Sequence, residues 1–82
     1  MKFLLLLLLF VTFVFASVDI NKADKKELET LHGIGVKKAE KIISFRKENG
    51  CFESIKELAK VKGIGPKTIE KNRKNLTLSE CE

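Results

Sequence analysis

The sequence predicts an all-α fold in which one small helical unit occurs twice and the two copies share a core. Three observations predict it. The chain repeats itself at a constant offset of 30 positions (63 − 33), with no gap between the copies. A Gly-Ile-Gly triplet stands at the same point of each copy, and apolar residues recur at helical spacing on both sides of each triplet.

The repeat is strong enough to mark a duplicated supersecondary unit. Nine of the eighteen aligned positions in 24–41 and 54–71 carry the same residue, where chance would give one or two. The identical residues are Lys26, Glu27, Leu28, Gly33, Ile34, Gly35, Lys37, Glu40 and Lys41, which recur as Lys56, Glu57, Leu58, Gly63, Ile64, Gly65, Lys67, Glu70 and Lys71.

Each copy begins with the residue spacing of a capping box, which starts a helix. Asp24 stands three residues before Glu27, and Ser54 stands three residues before Glu57. The glycine triplet then ends this first helix and leads into a second one. The predicted helices run over 25–31 and 36–48 in the first copy, and over 55–61 and 66–74 in the second.

The second helix of each copy has its own start and stop signals. Pro66 suits the first turn of a helix, and Asn49-Gly50 suits the end of one. The predicted buried residues of these helices are Ala39, Ile42, Ile43, Phe45 and Ile69. The short apolar flanks Val18 and Ile20 are expected to pack with Leu76 and Leu78.

Residues 1–16 have the features of a secretory signal peptide. Lys2 precedes an apolar run from Phe3 to Phe15, broken only by Thr12, and the run ends at Ala16. A membrane-spanning helix needs about 20 apolar residues, so cleavage after Ala16 is expected and an uncleaved anchor is the alternative. The sequence thus predicts an exported domain over 17–82.

The exported part is basic. Residues 17–78 carry 15 Lys and Arg against 9 Asp and Glu, a balance of +6 (15 − 9). This balance suggests a polyanionic partner, although a solvated lysine-rich surface would have the same composition. The two cysteines, Cys51 and Cys81, match no zinc-binding spacing. An oxidising compartment would favour a disulfide between them, with free thiols or pairing between molecules as alternatives.

The glycine triplets are the candidate functional site. A Gly-x-Gly turn lets a ligand approach the backbone closely, and the N-terminus of the helix that follows presents unpaired N–H groups to an anion. Glycines that only make a tight turn are the alternative, but duplication with lysine after each copy favours two phosphate sites. The apolar residue between the glycines is expected to turn inward, and Lys37 and Lys38 to face solvent. The candidate DNA-binding residues are Gly33, Ile34, Gly35, Lys37, Lys38, Gly63, Ile64, Gly65, Lys67 and Thr68.

Two phosphate sites related by a pseudo-two-fold axis could hold both strands of a duplex. Phosphate contacts carry no sequence information, and the chain offers no aromatic platform on which single-stranded bases could stack. Double-stranded DNA bound without sequence preference is therefore the expected ligand.

The residues from Val18 to Ala23, with those from Leu28 to Gly35, resemble the helix-hairpin-helix domain of ComEA-type competence proteins. The stretches from Ala39 to Gly50 and from Val61 to Gly65 fit the same pattern, in a tandem helix-hairpin-helix arrangement. The resemblance implies a periplasmic receptor for double-stranded DNA in natural transformation, working with other DNA-uptake machinery. The sequence departs from the family at His32 and Cys51, where proline is usual.

Two other functions remain open at this point. A secreted nuclease would need clustered carboxylates with a metal, or a catalytic His or Tyr. The sequence has one His and no Tyr, and its acidic residues are spread among lysines. We therefore expect no catalysis, no cofactor and no small-molecule substrate. An exported protein-interaction module with the same fold is the second alternative.

Overall fold

The structure is a computed structural model that describes residues 17–81, and the predicted signal peptide lies outside them. The described part is mostly helical, which confirms the predicted all-α class. Its elements in chain order are β1 (Val18–Asp19), α1 (Lys25–Glu29), α2 (Val36–Asn49), a 3₁₀ helix (Ile55–Lys60), α3 (Pro66–Asn72), a 3₁₀ turn (Arg73–Asn75) and β2 (Leu76–Thr77). Within residues 17–81, no helix is long and apolar enough to cross a membrane.

The first helix of the first copy starts as predicted. The Asp24 carboxylate accepts a hydrogen bond from the Glu27 N–H at 2.8 Å, and the Glu27 carboxylate accepts one from the Asp24 N–H at 3.0 Å. This reciprocal capping box satisfies two backbone donors at the start of α1. The helix ends at Glu29, earlier than predicted, and buries Leu28 against the core.

The predicted second capping box is wrong, but a helix does follow it at nearly the predicted positions. Residues Ile55–Lys60 form a 3₁₀ helix, in which the Glu57 N–H donates to the backbone carbonyl of Ser54 at 3.1 Å. The Ser54 hydroxyl makes no capping hydrogen bond. The Glu57 carboxylate accepts instead from the N–H of Glu53, at 2.9 Å. In the tighter 3₁₀ helix the Glu57 N–H is satisfied by the backbone carbonyl of Ser54, whereas in a capping box it would be satisfied by the Ser54 hydroxyl.

The long helix α2 ends where Asn49-Gly50 predicted. Gly50 has φ of +88°, a left-handed conformation that glycine adopts without steric cost, and its N–H donates to the Arg46 carbonyl at 3.0 Å. The Arg46 guanidinium reaches back to the N-terminal segment. It donates to the carbonyls of Ile20 and Ala23, both at 3.0 Å. Arg46 is therefore a structural cation that holds this segment on α2.

The two ends of the domain meet in a short parallel pairing that the sequence did not predict. Val18 lies opposite Leu76 and Asp19 opposite Thr77, in agreement with the predicted packing of the apolar flanks. Next to this pairing, the side-chain amide of Asn21 donates to the carbonyls of Phe52 and Ser79, both at 2.9 Å. It also accepts from the Phe52 N–H at 2.7 Å. Asn21 thus ties both termini to the linker between the two copies.

One apolar core is built from both copies. Leu28 of α1 and Leu58 of the 3₁₀ helix are fully buried at equivalent places, and Leu31 and Val61 form a second equivalent pair of buried residues. Phe52 of the linker is 1% exposed, and its ring stacks on Phe45 of α2 at a centroid distance of 5.4 Å. Ile43 and Phe45, predicted to be buried, are partly buried at the core edge. The buried apolar residues are Val18, Ile20, Ala23, Leu28, Leu31, Ile34, Ala39, Ile42, Phe52, Leu58, Val61, Ile64, Ile69 and Leu76.

A disulfide joins Cys51 in the linker to Cys81 in the tail, and the two Cα atoms are 5.7 Å apart. This separation lies within the range of protein disulfides. The bond closes a loop that contains the whole second copy, since the cysteines are 30 positions apart in sequence.

Candidate nucleic-acid interface

The two glycine hairpins have the same backbone geometry. Gly33 has φ of +79° and Gly63 has φ of +96°, and both angles lie in the region that L side chains rarely adopt. In each hairpin the central isoleucine N–H donates to the residue three positions earlier. Ile34 donates to the Leu31 carbonyl at 3.2 Å, and Ile64 to the equivalent carbonyl of the second copy at 3.0 Å. The sequence repeat is therefore also a structural repeat at the site.

The central isoleucines anchor the hairpins, as predicted. Ile34 is 4% exposed and Ile64 is 3% exposed, so both side chains belong to the core. The flanking glycines lie at the surface. Any contact that these isoleucines make with a ligand therefore uses backbone atoms only.

The helix after each hairpin begins at the second glycine with its first turn free of acidic residues. Gly35 is the N-cap of α2 and Gly65 is the N-cap of α3, and neither helix has a side-chain capping hydrogen bond. Their first-turn N–H groups and the positive end of the helix dipole are thus open to an external anion. Lys37 and Lys67 are exposed in these first turns.

The third residue of each of these helices packs on the glycine of the other hairpin. Lys38 and Thr68 occupy equivalent positions, since they lie 30 residues apart. The stem of Lys38 lies against Gly63, with its Cε 3.4 Å from where a Cβ atom would stand, and Thr68 lies against Gly33 at 3.7 Å by the same measure. The two hairpins therefore lie side by side and face one surface.

The expectation that Lys38 faces solvent is only partly right. Its side chain is partly buried, and its ammonium group donates to the Gly33 carbonyl at 3.3 Å. The close approach to Gly63 sequesters the aliphatic stem, so Lys38 bridges the two hairpins as well as adding positive charge. Lys37 is exposed as expected.

Sequence reasoning missed Asn72, which fixes the first hairpin on the second copy. Asn72 is 2% exposed, and its side-chain oxygen accepts from the His32 N–H at 2.8 Å. Its amide donates to the carbonyls of His32 at 2.9 Å and Thr68 at 2.8 Å. The repeat offered a signal, because the equivalent position in the first copy is Ile42, an apolar core residue.

The ion pairs of the described residues do not include Lys37 or Lys67. They join Lys25 to Glu40 at 3.1 Å and Arg73 to Glu70 at 3.3 Å, with a longer contact between Lys60 and Glu57. These pairs are exposed, so they add little to stability. Within residues 17–81, no cluster of His, Cys, Asp or Glu could hold a metal ion.

Comparison with known proteins identifies the family of this chain. The family profile of the helix-hairpin-helix motif matches residues 15–77. The chain is 46% identical over 63 residues to ComE operon protein 1 of Bacillus subtilis, covering 77% of this chain and 31% of that protein. It is also 46% identical over 57 residues to an uncharacterized protein of Haemophilus influenzae, covering 68% of this chain and 51% of that protein.

The similarity extends to proteins with other names. The human S1 RNA-binding domain-containing protein 1 is 39% identical over 56 residues, which are 68% of this chain and 6% of that protein. The chain thus spans from about a third to half of the length of the two bacterial relatives, and a small part of the human one. Together, the family match, the duplicated hairpins and the bacterial similarity show that this chain belongs to the helix-hairpin-helix family and carries a domain of the ComEA type.

Proposed function

We propose that this protein binds double-stranded DNA through backbone phosphates, without sequence preference, as a periplasmic receptor in DNA uptake. The observation that carries the proposal is the pair of uncapped hairpins with one geometry. Gly33 and Gly63 share a left-handed backbone, and the helices after them offer free N–H groups beside exposed Lys37 and Lys67. A phosphate at each helix start would neutralise the lysine and the helix dipole together.

Duplex DNA suits this arrangement better than single strands. The reciprocal contacts of Lys38 with Gly63 and of Thr68 with Gly33 hold two equivalent sites on one surface. Two equivalent sites match two antiparallel phosphate backbones. In the described residues both phenylalanine rings, Phe45 and Phe52, pack on each other at the core, so neither is free to stack on a base.

The cellular setting rests on the sequence and on the relatives. The apolar run before Ala16 supports export, and the similarity to ComE operon protein 1 supports a place in competence and DNA uptake. The proposed location of the cleaved protein is the periplasm, where other DNA-uptake proteins would receive the DNA. Fractionation of cells, with N-terminal sequencing of the protein recovered, tests both export and cleavage after Ala16.

The binding test is a gel shift of random-sequence duplex DNA with a protein that comprises residues 17–82. The buried apolar residues all lie between Val18 and Leu76, so this protein keeps the described core. If about four to six phosphates are neutralised, log K should fall against log salt with a slope of about −4 to −5. A flat salt response, or a strong preference for one sequence, would contradict the proposal.

Charge reversal at the two helix starts locates the contact. Lys37→Glu with Lys67→Glu should weaken binding at least about tenfold and reduce the slope by about 2, because two phosphate contacts are lost. The matched control is Lys47→Glu with Lys74→Glu, an equal change of charge at exposed positions in the last turn of α2 and just after α3. If both double variants weaken binding equally, net charge and not the hairpin surface governs affinity. An intact protein with no affinity for DNA would favour the protein-interaction alternative.

A further inference from the structure

We propose that His32, Thr68 and Lys71 form an additional phosphate-binding site between the first hairpin and α3, a proposal that rests on the DNA-binding function above. These three side chains and Gly33 line an open concavity of about 450 Å³ at the surface. The concavity therefore offers an imidazole, a hydroxyl and an ammonium group, all of which can donate hydrogen bonds to a phosphate. It lies between the first hairpin and the face of α3 that carries Thr68 and Lys71.

The backbone around this site is held rigidly. The side-chain oxygen of Asn72 accepts a hydrogen bond from the His32 N–H at 2.8 Å. Its side-chain nitrogen donates to the carbonyls of His32 at 2.9 Å and Thr68 at 2.8 Å. His32 and Thr68 are thus fixed to one buried amide although they come from different copies. The imidazole itself is exposed and takes part in none of these bonds. A fixed backbone with a free basic side chain is suited to binding a ligand.

The equivalent place in the other half of the pseudo-symmetric domain is different. An offset of 30 residues relates His32 to Lys62 and Thr68 to Lys38. There, the stem of Lys38 lies against Gly63, with its Cε 3.4 Å from the position of an added Cβ, whereas the shorter Thr68 comes no closer than 3.7 Å to the equivalent point of Gly33. The two halves therefore differ in the side chain that lies beside the glycine, an ammonium-bearing one in one half and a hydroxyl-bearing one in the half that contains His32.

The charges around the concavity favour an anion. Lys71 is exposed and lines it, and the ammonium of Lys38 lies 3.3 Å from the Gly33 carbonyl at its edge. The nearest acidic residue along α3, Glu70, is paired with Arg73 and lines a different groove. His32 is the one histidine of the sequence. Its imidazole adds a hydrogen-bond donor from the hairpin side of the concavity.

The test compares duplex binding by wild type, Lys71→Gln and His32→Gln, with Lys47→Gln as the control for loss of one exposed lysine. Lys71→Gln should reduce the salt slope by about 0.9, as for one phosphate contact, while Lys47→Gln should leave it unchanged. His32→Gln should weaken duplex binding about three- to tenfold, because it removes the imidazole that donates to the phosphate. The bonds from Asn72 use only backbone atoms of His32, so His32→Gln leaves them in place.

The outcomes separate this site from the general function. If wild type binds DNA, but Lys71→Gln keeps the full slope and His32→Gln binds as tightly as wild type, the additional site is wrong and the hairpin proposal stands. If wild type does not bind DNA, inorganic phosphate is titrated into the ¹⁵N-labelled protein at constant ionic strength. Saturable shifts of the His32 ring and Gly33 amide signals, absent in Lys71→Gln, would support a site for free phosphate, and their absence would overturn it.

Discussion

Replacement of Asn72 by alanine should weaken the contact between the two copies of the repeat, and so lower the free energy of unfolding, more than any single surface substitution. The Asn72 side chain is buried and makes three hydrogen bonds of 2.8 to 2.9 Å to backbone atoms of His32 and Thr68. Alanine makes none of them and leaves the N–H and carbonyl of His32 without these partners. The first hairpin would then be held on α3 by apolar packing alone.

The cost follows from these bonds. A hydrogen bond of this kind contributes about 1 kcal/mol net, and a buried polar group left without a partner costs about 1 to 3 kcal/mol. Water can reach the exposed residue His32 in part, so we expect Asn72→Ala to lower the free energy of unfolding by about 2 to 4 kcal/mol. A protein that comprises residues 17–82, which is 66 residues (82 − 16), is expected to have a total stability of only about 3 to 10 kcal/mol. The melting temperature should fall by about 10 to 25 °C.

Thermal unfolding followed by circular dichroism measures this shift. Asn49→Ala is the matched control, because Asn49 is exposed and its amide makes one hydrogen bond, to the Phe45 carbonyl at 3.1 Å. The control should change stability by no more than about 0.5 kcal/mol. If the two variants melt within 2 or 3 °C of each other, roughly the effect of 0.5 kcal/mol, the buried amide does not join the copies.

Three further perturbations test the fold around the site. Gly33→Val should lower the free energy of unfolding by about 2 kcal/mol, because φ at this position is +79°. Gly35→Ala should lower it by less than about 1 kcal/mol, since no atom lies within 4 Å of the added Cβ. Urea unfolding measures both changes. Burial alone raises the pKa of Asp19, but hydrogen bonds from the N–H groups of its neighbours outweigh burial and lower it. The stabilisation from this carboxylate is therefore present above about pH 4 and lost below it, and Asp19→Asn should flatten the acid side of a plot of stability against pH. Replacement of both Cys51 and Cys81 by serine should lower the free energy of unfolding by about 3 to 4 kcal/mol. Wild-type protein purified from the periplasm should take up no alkylating group before reduction, and uptake of two groups by the monomer would contradict the disulfide.

Local sequence determined the elements whose signals are local. The capping box at Asp24 and Glu27 and the turn at Gly50 depend on residues a few positions apart, and the structure has both. The inward anchoring of Ile34 follows in the same way from an apolar residue between two glycines. The unit of 30 residues is visible in the sequence because duplication repeats the residues as well as the fold.

Ser54 shows where local reasoning failed. The spacing of Ser54 and Glu57 is the same as in the first copy, yet the chain winds there as a 3₁₀ helix. Both helix types can begin from such a spacing, and the choice depends on how the segment packs over Leu58 and the linker. Short helices owe most of their stability to packing rather than to propensity.

The sequence by itself determined that two glycine hairpins, each followed by a lysine-bearing helix, form one small basic domain. Only the tertiary structure decided how the hairpins lie together. Lys38 crosses to Gly63, Thr68 crosses to Gly33, and Asn72 binds the backbone of His32, 40 positions away. These contacts join residues far apart in the chain, and a side chain's partner across a core is set by packing geometry that no local pattern encodes. The same geometry places different side chains beside the two hairpin glycines, although the repeat made the two halves look alike.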